Sequence, residues 1–236
     1  MITSQYSLMQ YVSKYKRGAE LVTNLSKETS LLYNMPALWA DILFADEAVR
    51  VSKTIDVWQT HFSYEYESLI NIFKQYLKEI FLIKYQENYS LVYAIGTPQK
   101  TLYYEGRNPL SKRITESVQP FWKFFPEGLK KFYDNLHDGW CYLASDSMGL
   151  IPAKDFMVLD EQDWGILDDI KIDFDLRKVI SVFSNGMGGY VCVNFNGTQP
   201  KGMLWWHDDK PDMNIDFWPT VDEWTVIGIE KDLKIS

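Results

Sequence analysis

The sequence has few residues of the kinds that build disulfide frameworks and metal sites. Its 236 residues include only two cysteines and three histidines. Cys141 and Cys192 have no metal-ligand spacing, so neither a disulfide framework nor a zinc cluster is predicted. Cys192 stands between two valines in a predicted strand, which indicates a buried thiol. We therefore expect two core thiols, no metal and no cofactor.

Long apolar runs and an excess of basic residues are also missing. No stretch of about 18 uncharged apolar residues occurs, which argues against a transmembrane helix. Residues 1–15 have no apolar block, so we expect no secretory signal and a cytoplasmic location. The chain has 24 Lys and Arg against 32 Asp and Glu, a net charge of -8. This charge disfavours direct binding to nucleic acid or anionic membranes, so the expected partner is a basic protein.

Apolar residues are abundant, but the acidic charge is confined to one part of the chain. The composition is 46% hydrophobic and 16% aromatic, which is typical of a folded protein with a sizeable core. Residues 1–130 carry 15 basic and 13 acidic groups, whereas residues 131–236 carry 9 and 19. We divide the chain shortly after a loop-like segment at 105–109, into regions 1–115 and 116–236.

Residues 1–115 are predicted to be mainly helical with one β-hairpin. A first helix begins at Pro36, and a second is capped by Ser63 and carries a wide apolar stripe that extends to Phe81. Such a stripe either packs on its own domain or forms a membrane or partner surface, and the first is far more common. The hairpin is predicted from apolar segments on either side of residues 96–100. These segments are 91–95 and 101–104.

Residues 116–236 are predicted to form an α+β domain. A helix begins at Pro126, and a capping box at 220–223 starts a terminal helix. Between them lie several strand candidates with short links, which favour antiparallel pairing. The order predicts an antiparallel sheet flanked by helices. The strand candidates are 140–143, 179–183, 190–195, 202–207 and 215–218.

No catalytic constellation is predicted. The glycine-rich segment 186–189 joins two predicted strands, so it indicates a sheet turn and not a phosphate-binding loop. Residues 207–209 (His-Asp-Asp) could offer metal ligands, but His61 and His137 lie at no recognisable ligand spacing. The sequence contains no Gly-x-Ser-x-Gly motif. We expect a protein without enzymatic activity.

One segment is dense in residues typical of protein contacts. Tryptophans dominate interface hot spots, and carboxylates steer a basic partner. Adjacent residues of a strand point to opposite faces, so at most one of two neighbouring tryptophans at 205 and 206 belongs to a single core face. Alternatively, the tryptophans are core residues and the aspartates lie in a solvated loop. A second acidic stretch, at 155–175, has the same two interpretations. The predicted partner-binding residues are Trp206, Asp208, Asp209 and Asp212.

Several motifs in residues 116–236 resemble the SUKH superfamily. They are PEGLKKFY at 126–133 leading to DGW at 138–140, FSNGMGGYVCV at 183–193, LWWHD at 204–208 and TVDEW at 220–224. This superfamily comprises bacterial immunity proteins related to a fungal regulator of cell-wall glucan synthesis. The resemblance implies an α+β fold with an antiparallel sheet flanked by helices. Residues 1–115 fall outside it.

The resemblance also implies a function. Bacterial members typically neutralise a cognate toxin, often a nuclease or deaminase, by binding its active-site region, and the superfamily has no shared catalytic residues. We therefore expect an immunity protein that binds a cognate toxin. The alternatives are a non-catalytic intracellular scaffold or regulator, as the fungal relatives suggest, and a hydrolase with a site that the sequence does not reveal.

Overall fold

The computed structural model describes residues 2–23, 34–168 and 170–235. These residues form seven α-helices and eleven β-strands. The helices are α1 (Ile2–Tyr15), α2 (Ala37–Leu43), α3 (Arg50–Phe62), α4 (Glu67–Tyr76), α5 (Gln119–Trp122), α6 (Glu127–Asn135) and α7 (Phe217–Leu233). The strands are β1 (Glu20–Leu21), β2 (Leu77–Tyr85), β3 (Asn88–Gly96), β4 (Thr101–Arg107), β5 (Trp140–Tyr142), β6 (Ser147–Leu150), β7 (Met157–Val158), β8 (Val179–Ser184), β9 (Gly189–Asn194), β10 (Lys201–Trp206) and β11 (Asp212–Ile215).

All eleven strands belong to one antiparallel sheet that does not close into a barrel. Its order is β1-β2-β3-β4-β5-β6-β8-β9-β10-β11, and β7 pairs with β8 beyond the end of β6. The prediction of an α+β fold with an antiparallel sheet flanked by helices is confirmed. β4 and β5 lie on opposite sides of the predicted boundary after residue 115, and they are hydrogen-bonded neighbours with Glu105 opposite Cys141.

One face of the sheet carries the main core, where helices α2, α3, α4, α6 and α7 supply buried side chains. Trp58 of α3 lies at its centre and packs against Trp140 of β5, with ring centroids 5.7 Å apart. Asp222 of α7 accepts hydrogen bonds from the backbone N–H groups of Ser68 (2.7 Å) and Leu69 (2.9 Å) in α4. Because the first N–H groups of a helix lack partners within it, this carboxylate ties α7 to the start of α4.

The second face of the sheet carries two smaller cores. In the α1 core, Leu8 and Val12 of α1 pack against strands β2 to β4. In the loop core, the irregular segment that contains Trp164 covers strands β8 to β10, where Cys192 and Trp205 lie. Cys141 and Cys192 are both buried free thiols, as expected. Among the described residues, no helix is both long and apolar enough to span a bilayer.

The predicted long helix up to Phe81 is wrong. α3 runs to Phe62, so Ser63 lies at its end, and α4 ends at Tyr76 before the chain continues as β2. Residues 80–83 of β2 are all buried, because alternate side chains enter the main core and the α1 core. A strand covered on both faces has the same continuous apolar run as a buried helix, so hydrophobic spacing alone does not separate them.

The predicted strand at 215–218 is also wrong. β11 ends at Ile215, and α7 begins at Phe217 with Asp216 as its N-cap residue. Pro219 fits the first turn of α7 because a proline lacks only an N–H that has no partner there. The helix therefore starts before the predicted capping box, and the Thr220 hydroxyl donates to the backbone oxygen of Asp216 (2.8 Å).

Candidate functional site

Trp206, the expected contact anchor, lies at the end of β10 and is half-buried. Its neighbour Trp205 points to the other side of the sheet and is fully buried in the loop core, so the prediction of opposite faces is confirmed. The ring of Trp206 packs against Trp224 of α7, with centroids 5.4 Å apart. Part of the indole is therefore buried against Trp224, and a partner could contact only its exposed edge.

The three predicted aspartates are all exposed; Asp208 and Asp209 lie in the connection from β10 to β11, and Asp212 is the first residue of β11. The Asp208 carboxylate is 2.6 Å from Nδ1 of His207, and the Asp209 carboxylate accepts from the backbone N–H of Lys210 (2.7 Å). Asp212 opens β11 opposite Leu204. Within the described residues, no Lys, Arg or His side chain lies within ion-pair distance of Asp209 or Asp212. Their charges are therefore available to a partner.

The structure brings the two predicted acidic stretches together. The ring of Trp164 lies 5.9 Å from the ring of His207, and a Cβ atom on Gly165 would lie 4.0 Å from Oδ1 of Asp208. Trp164 is fixed there because its indole N–H donates to the backbone oxygen of Leu159 (2.7 Å). We call the exposed aspartates that neighbour this junction in sequence the acidic face. Its members are Asp163, Asp168, Asp208 and Asp209.

Two other acids of the stretch 155–175, Asp155 and Asp175, are paired with basic side chains of the chain. Asp175 accepts two hydrogen bonds from the guanidinium of Arg177, at 2.9 and 3.0 Å, and this pairing lowers the pKa of the Asp175 carboxyl. Asp155 accepts from Nζ of Lys154 at 2.9 Å. Asp169 lies outside the described residues. Among the described residues of the stretch, Asp160, Glu161 and Asp173 are exposed and have no ion pair, as are Asp163 and Asp168 on either side of Trp164.

The turn between β8 and β9 adds an apolar residue next to the acidic face. It has the predicted glycine-rich sheet turn, in which Gly186 and Gly188 have φ values of 72° and 83°. Oδ1 of Asn185 accepts from the N–H groups of Met187 (2.8 Å) and Gly189 (2.9 Å), so the turn is internally braced. Met187 is 81% exposed at its tip. Sequence analysis missed this residue because nothing in its spacing distinguishes an exposed methionine from a core methionine.

The backbone also connects this turn to the acidic face. The N–H of His207 donates to the backbone oxygen of Gly188 at 2.8 Å. The hydrogen bonds within the turn and the bond from His207 to Gly188 fix the backbone on which Met187 and Asp208 lie. These two residues are therefore held close to each other. An apolar tip beside exposed carboxylates resembles the composition of a protein contact surface, where apolar anchors are surrounded by polar groups.

The two cysteines are buried and are not part of this surface. Burial raises the pKa of both cysteine thiols, which keeps them protonated and unreactive. In the part of the chain that the structure describes, no group of three or more His, Cys, Asp and Glu side chains is arranged to hold a metal ion. The exposed carboxylates of this surface can attract a basic partner by their charge.

Comparisons with known proteins give no relative from which a function could be transferred. No family model matches the chain, and no curated protein or solved structure matches it. The resemblance to the SUKH superfamily therefore stays a prediction that rests on the sequence motifs, and the function must be argued from the chain's own residues.

Proposed function

We propose that this chain is a cytoplasmic immunity protein that binds a cognate bacterial toxin and neutralises it by covering its active-site region. The observation that supports this most is the acidic face, in which two distant segments that both carry exposed carboxylates lie against each other at Trp164 and Gly165. Exposed charges of one sign attract a partner of opposite charge and accelerate its association. The partner that suits this face has a basic surface.

A toxin that acts on nucleic acids suits the charge best. Enzymes of this kind use Lys and Arg side chains to bind phosphates, and a row of carboxylates can occupy the same basic cleft. Residues 131–236, which supply the whole acidic face, carry 9 basic and 19 acidic groups. Among the predicted partner-binding residues, Asp208 and Asp209 lie on this face. Trp206 points to the opposite side of the sheet from Trp164 and packs against Trp224, and Asp212 pairs with Leu204 in the sheet. Met187 supplies the most exposed apolar contact nearby.

The first experiment is a rescue assay with the protein encoded next to this chain's gene. Expression of that protein alone should stop growth, and co-expression of this chain should restore it. Loss of growth that this chain does not relieve, together with no complex between the two purified proteins, would refute the proposed function.

A second experiment connects the function to the acidic face. The double variant Asp208→Lys/Asp209→Lys should associate with the neighbouring gene product about tenfold more slowly at low salt. The matched control is Asp41→Lys/Asp56→Lys, which makes the same charge change at exposed positions on α2 and α3. Equal slowing in both variants would indicate that only net charge affects association. If neither variant associates more slowly, the binding surface lies elsewhere on the chain.

A further inference from the structure

A polar cavity of about 530 Å³ lies on the second face of the sheet, next to the C-terminal end of α1. All thirteen residues that line it carry a polar group, and none is aliphatic. They include four cationic side chains and three carboxylates. The cavity size falls within the range of small-molecule sites, about 300–1,000 Å³. A lining of this kind excludes an apolar ligand and favours a hydrophilic one.

The side chains on the second face of the sheet change from apolar to polar beneath this cavity. On the second face, β3 changes from Val92 in the α1 core to Ser90 in the cavity, and β4 changes from Tyr103 to Glu105 and Arg107. Helix α1 covers the apolar end of this face and stops at Tyr15, at the edge of the cavity. If this face only packed against α1, we would expect apolar residues along its whole length. The polar end therefore has a role other than packing α1.

Charged groups are buried in the cavity floor. Glu105 is only 2% exposed, and its Oε2 lies 2.9 Å from Nζ of Lys16 and 3.4 Å from Nε of Arg107. Burial by itself raises the pKa of Glu105, but Lys16 and Arg107 outweigh this effect and keep the pKa below its usual value. Arg107 also donates to Asp146 at 3.0 Å. These ion pairs fix the floor of the cavity in one charged arrangement.

Arg113 differs from the other cations that line the cavity. Lys16 and Arg107 pair with Glu105, and Lys154 pairs with a neighbouring aspartate. Within the described part of the chain, by contrast, Arg113 has no carboxylate within ion-pair distance, and its side chain is exposed at the wall. A guanidinium has five donors in a planar fork that matches the geometry of a phosphate or carboxylate group.

We propose that this cavity binds a small hydroxylated molecule that carries a phosphate or carboxylate group. Arg113 contacts the oxyanion, and the Asn88 side-chain amide binds the hydroxyls of the ligand. The Ser90 and Ser111 hydroxyls already donate to Glu105 and to the backbone oxygen of Asn108, so they accept hydrogen bonds from the ligand. The paired charges of the floor stay in place and exclude an apolar group. This site lies apart from the acidic face and does not depend on the function proposed above.

The test is calorimetric titration of the full chain at low salt with three probes: inorganic phosphate, ribose 5-phosphate and acetate. Saturable binding of ribose 5-phosphate that is tighter than that of inorganic phosphate identifies a phosphorylated molecule, and binding of acetate alone identifies a carboxylate. Arg113→Gln should weaken the binding by about tenfold or more, because it removes a charge-assisted bidentate contact. Since Arg113 is exposed and unpaired, the variant should fold normally.

The matched control is Arg17→Gln, which removes another exposed guanidinium that lies outside the cavity lining. This variant should bind the probes as the unaltered chain does. The proposal is overturned if none of the three probes binds saturably. It is also overturned if Arg113→Gln leaves the affinity unchanged, or if both variants weaken binding equally, since the anions would then bind through general surface charge.

Discussion

Gly106 of β4 lies directly against the imidazole ring of His137 in the main core. A Cβ atom at this position would be 2.4 Å from both Nδ1 and Cε1 of the ring. His137 cannot move aside easily, because its Nε2 lies 2.7 Å from the hydroxyl of Tyr93, which also accepts from the indole N–H of Trp58 (3.1 Å). Burial lowers the pKa of His137 to about 3, so the ring is neutral at physiological pH. The glycine is therefore required by a close approach to a fixed side chain.

We expect Gly106→Ala to lower the free energy of unfolding by about 1–3 kcal/mol, as overpacking does in other cores. Urea unfolding followed by tryptophan fluorescence measures this loss. Gly197→Ala is the matched control, because an added Cβ there meets its neighbours at 3.4 Å or more in an exposed loop. Equal stability of the two variants would mean that the ring of His137 moves at little cost.

Asp138 gives the fold a dependence on pH. Its Oδ1 accepts from the backbone N–H of Ala153 (2.9 Å), and burial raises its pKa from 3.8 to about 6. Arg107 and Lys112 oppose this rise, and Asp155 adds to it. The unfolded chain loses this proton near pH 4 and the folded chain only near pH 6. Asp138 therefore makes the fold less stable as pH rises through this interval, and the loss persists above it.

Asp138→Asn should remove that loss and keep the oxygen that accepts from Ala153. We expect the free energy of unfolding to rise by about 1–3 kcal/mol at pH 8 and to change little below pH 4. Denaturant unfolding of both proteins across this pH range measures the difference. A stability difference that is the same at both ends of the range would show that the titration of Asp138 is not its cause.

At the scale of elements, local signals in the sequence identified the hairpin of β3 and β4, the helix α6 and the strands β8 to β10. The hairpin was predictable because Gly96 and Pro98 interrupt two apolar runs. β2 was not predictable, since its burial on both faces depends on α1, which packs across it from a distant part of the chain. Helix α3 was not predicted either, although its Trp58 lies at the centre of the main core. Local sequence therefore gave the turns more reliably than the elements that tertiary contacts define.

The contact between α7 and α4 should be visible in stability and in hydrogen exchange. Asp222→Ala removes the acceptor for two backbone N–H groups of α4 and leaves that of Leu69 buried without this partner. We expect a loss of about 1–3 kcal/mol in the free energy of unfolding, with faster exchange at the amides of Ser68 and Leu69. Glu223→Ala removes an exposed carboxylate at the next position and should have little effect. Unchanged exchange at the two amides in the Asp222 variant would contradict this role.

At the scale of the whole molecule, part of the candidate site was predicted from the sequence but its assembly was not. The sequence marked Asp208 and Asp209 as contact residues by their type and density. That Trp164 brings a second acidic stretch beside them follows from the loop core, which no local pattern indicates. The polar cavity was hidden for the same reason, because its lining comes from segments between Tyr15 and Lys154. The sequence pattern does not show which distant segments pack together.

The same long-range packing joins regions 1–115 and 116–236. Trp140 of β5 stacks on Tyr104 of β4 with centroids 4.4 Å apart, and it also meets Trp58 and Tyr93, which both belong to the first region. Separation would remove these aromatic contacts and expose the backbone edges of β4 and β5 to water. Large exposed apolar surfaces and unpaired strand edges promote aggregation.

We therefore expect neither fragment, 1–115 or 116–236, to unfold cooperatively by itself, and we expect both to be poorly soluble. A chain that is folded first and then cut between residues 115 and 116 should stay associated, because β4 and β5 remain paired and Trp140 remains buried. Thermal unfolding followed by circular dichroism, together with gel filtration, measures both properties, and the uncut chain is the control. Two fragments that each show a sharp unfolding transition, or a cut chain that separates in gel filtration, would show that the shared sheet contributes little and that the regions are independent folding units.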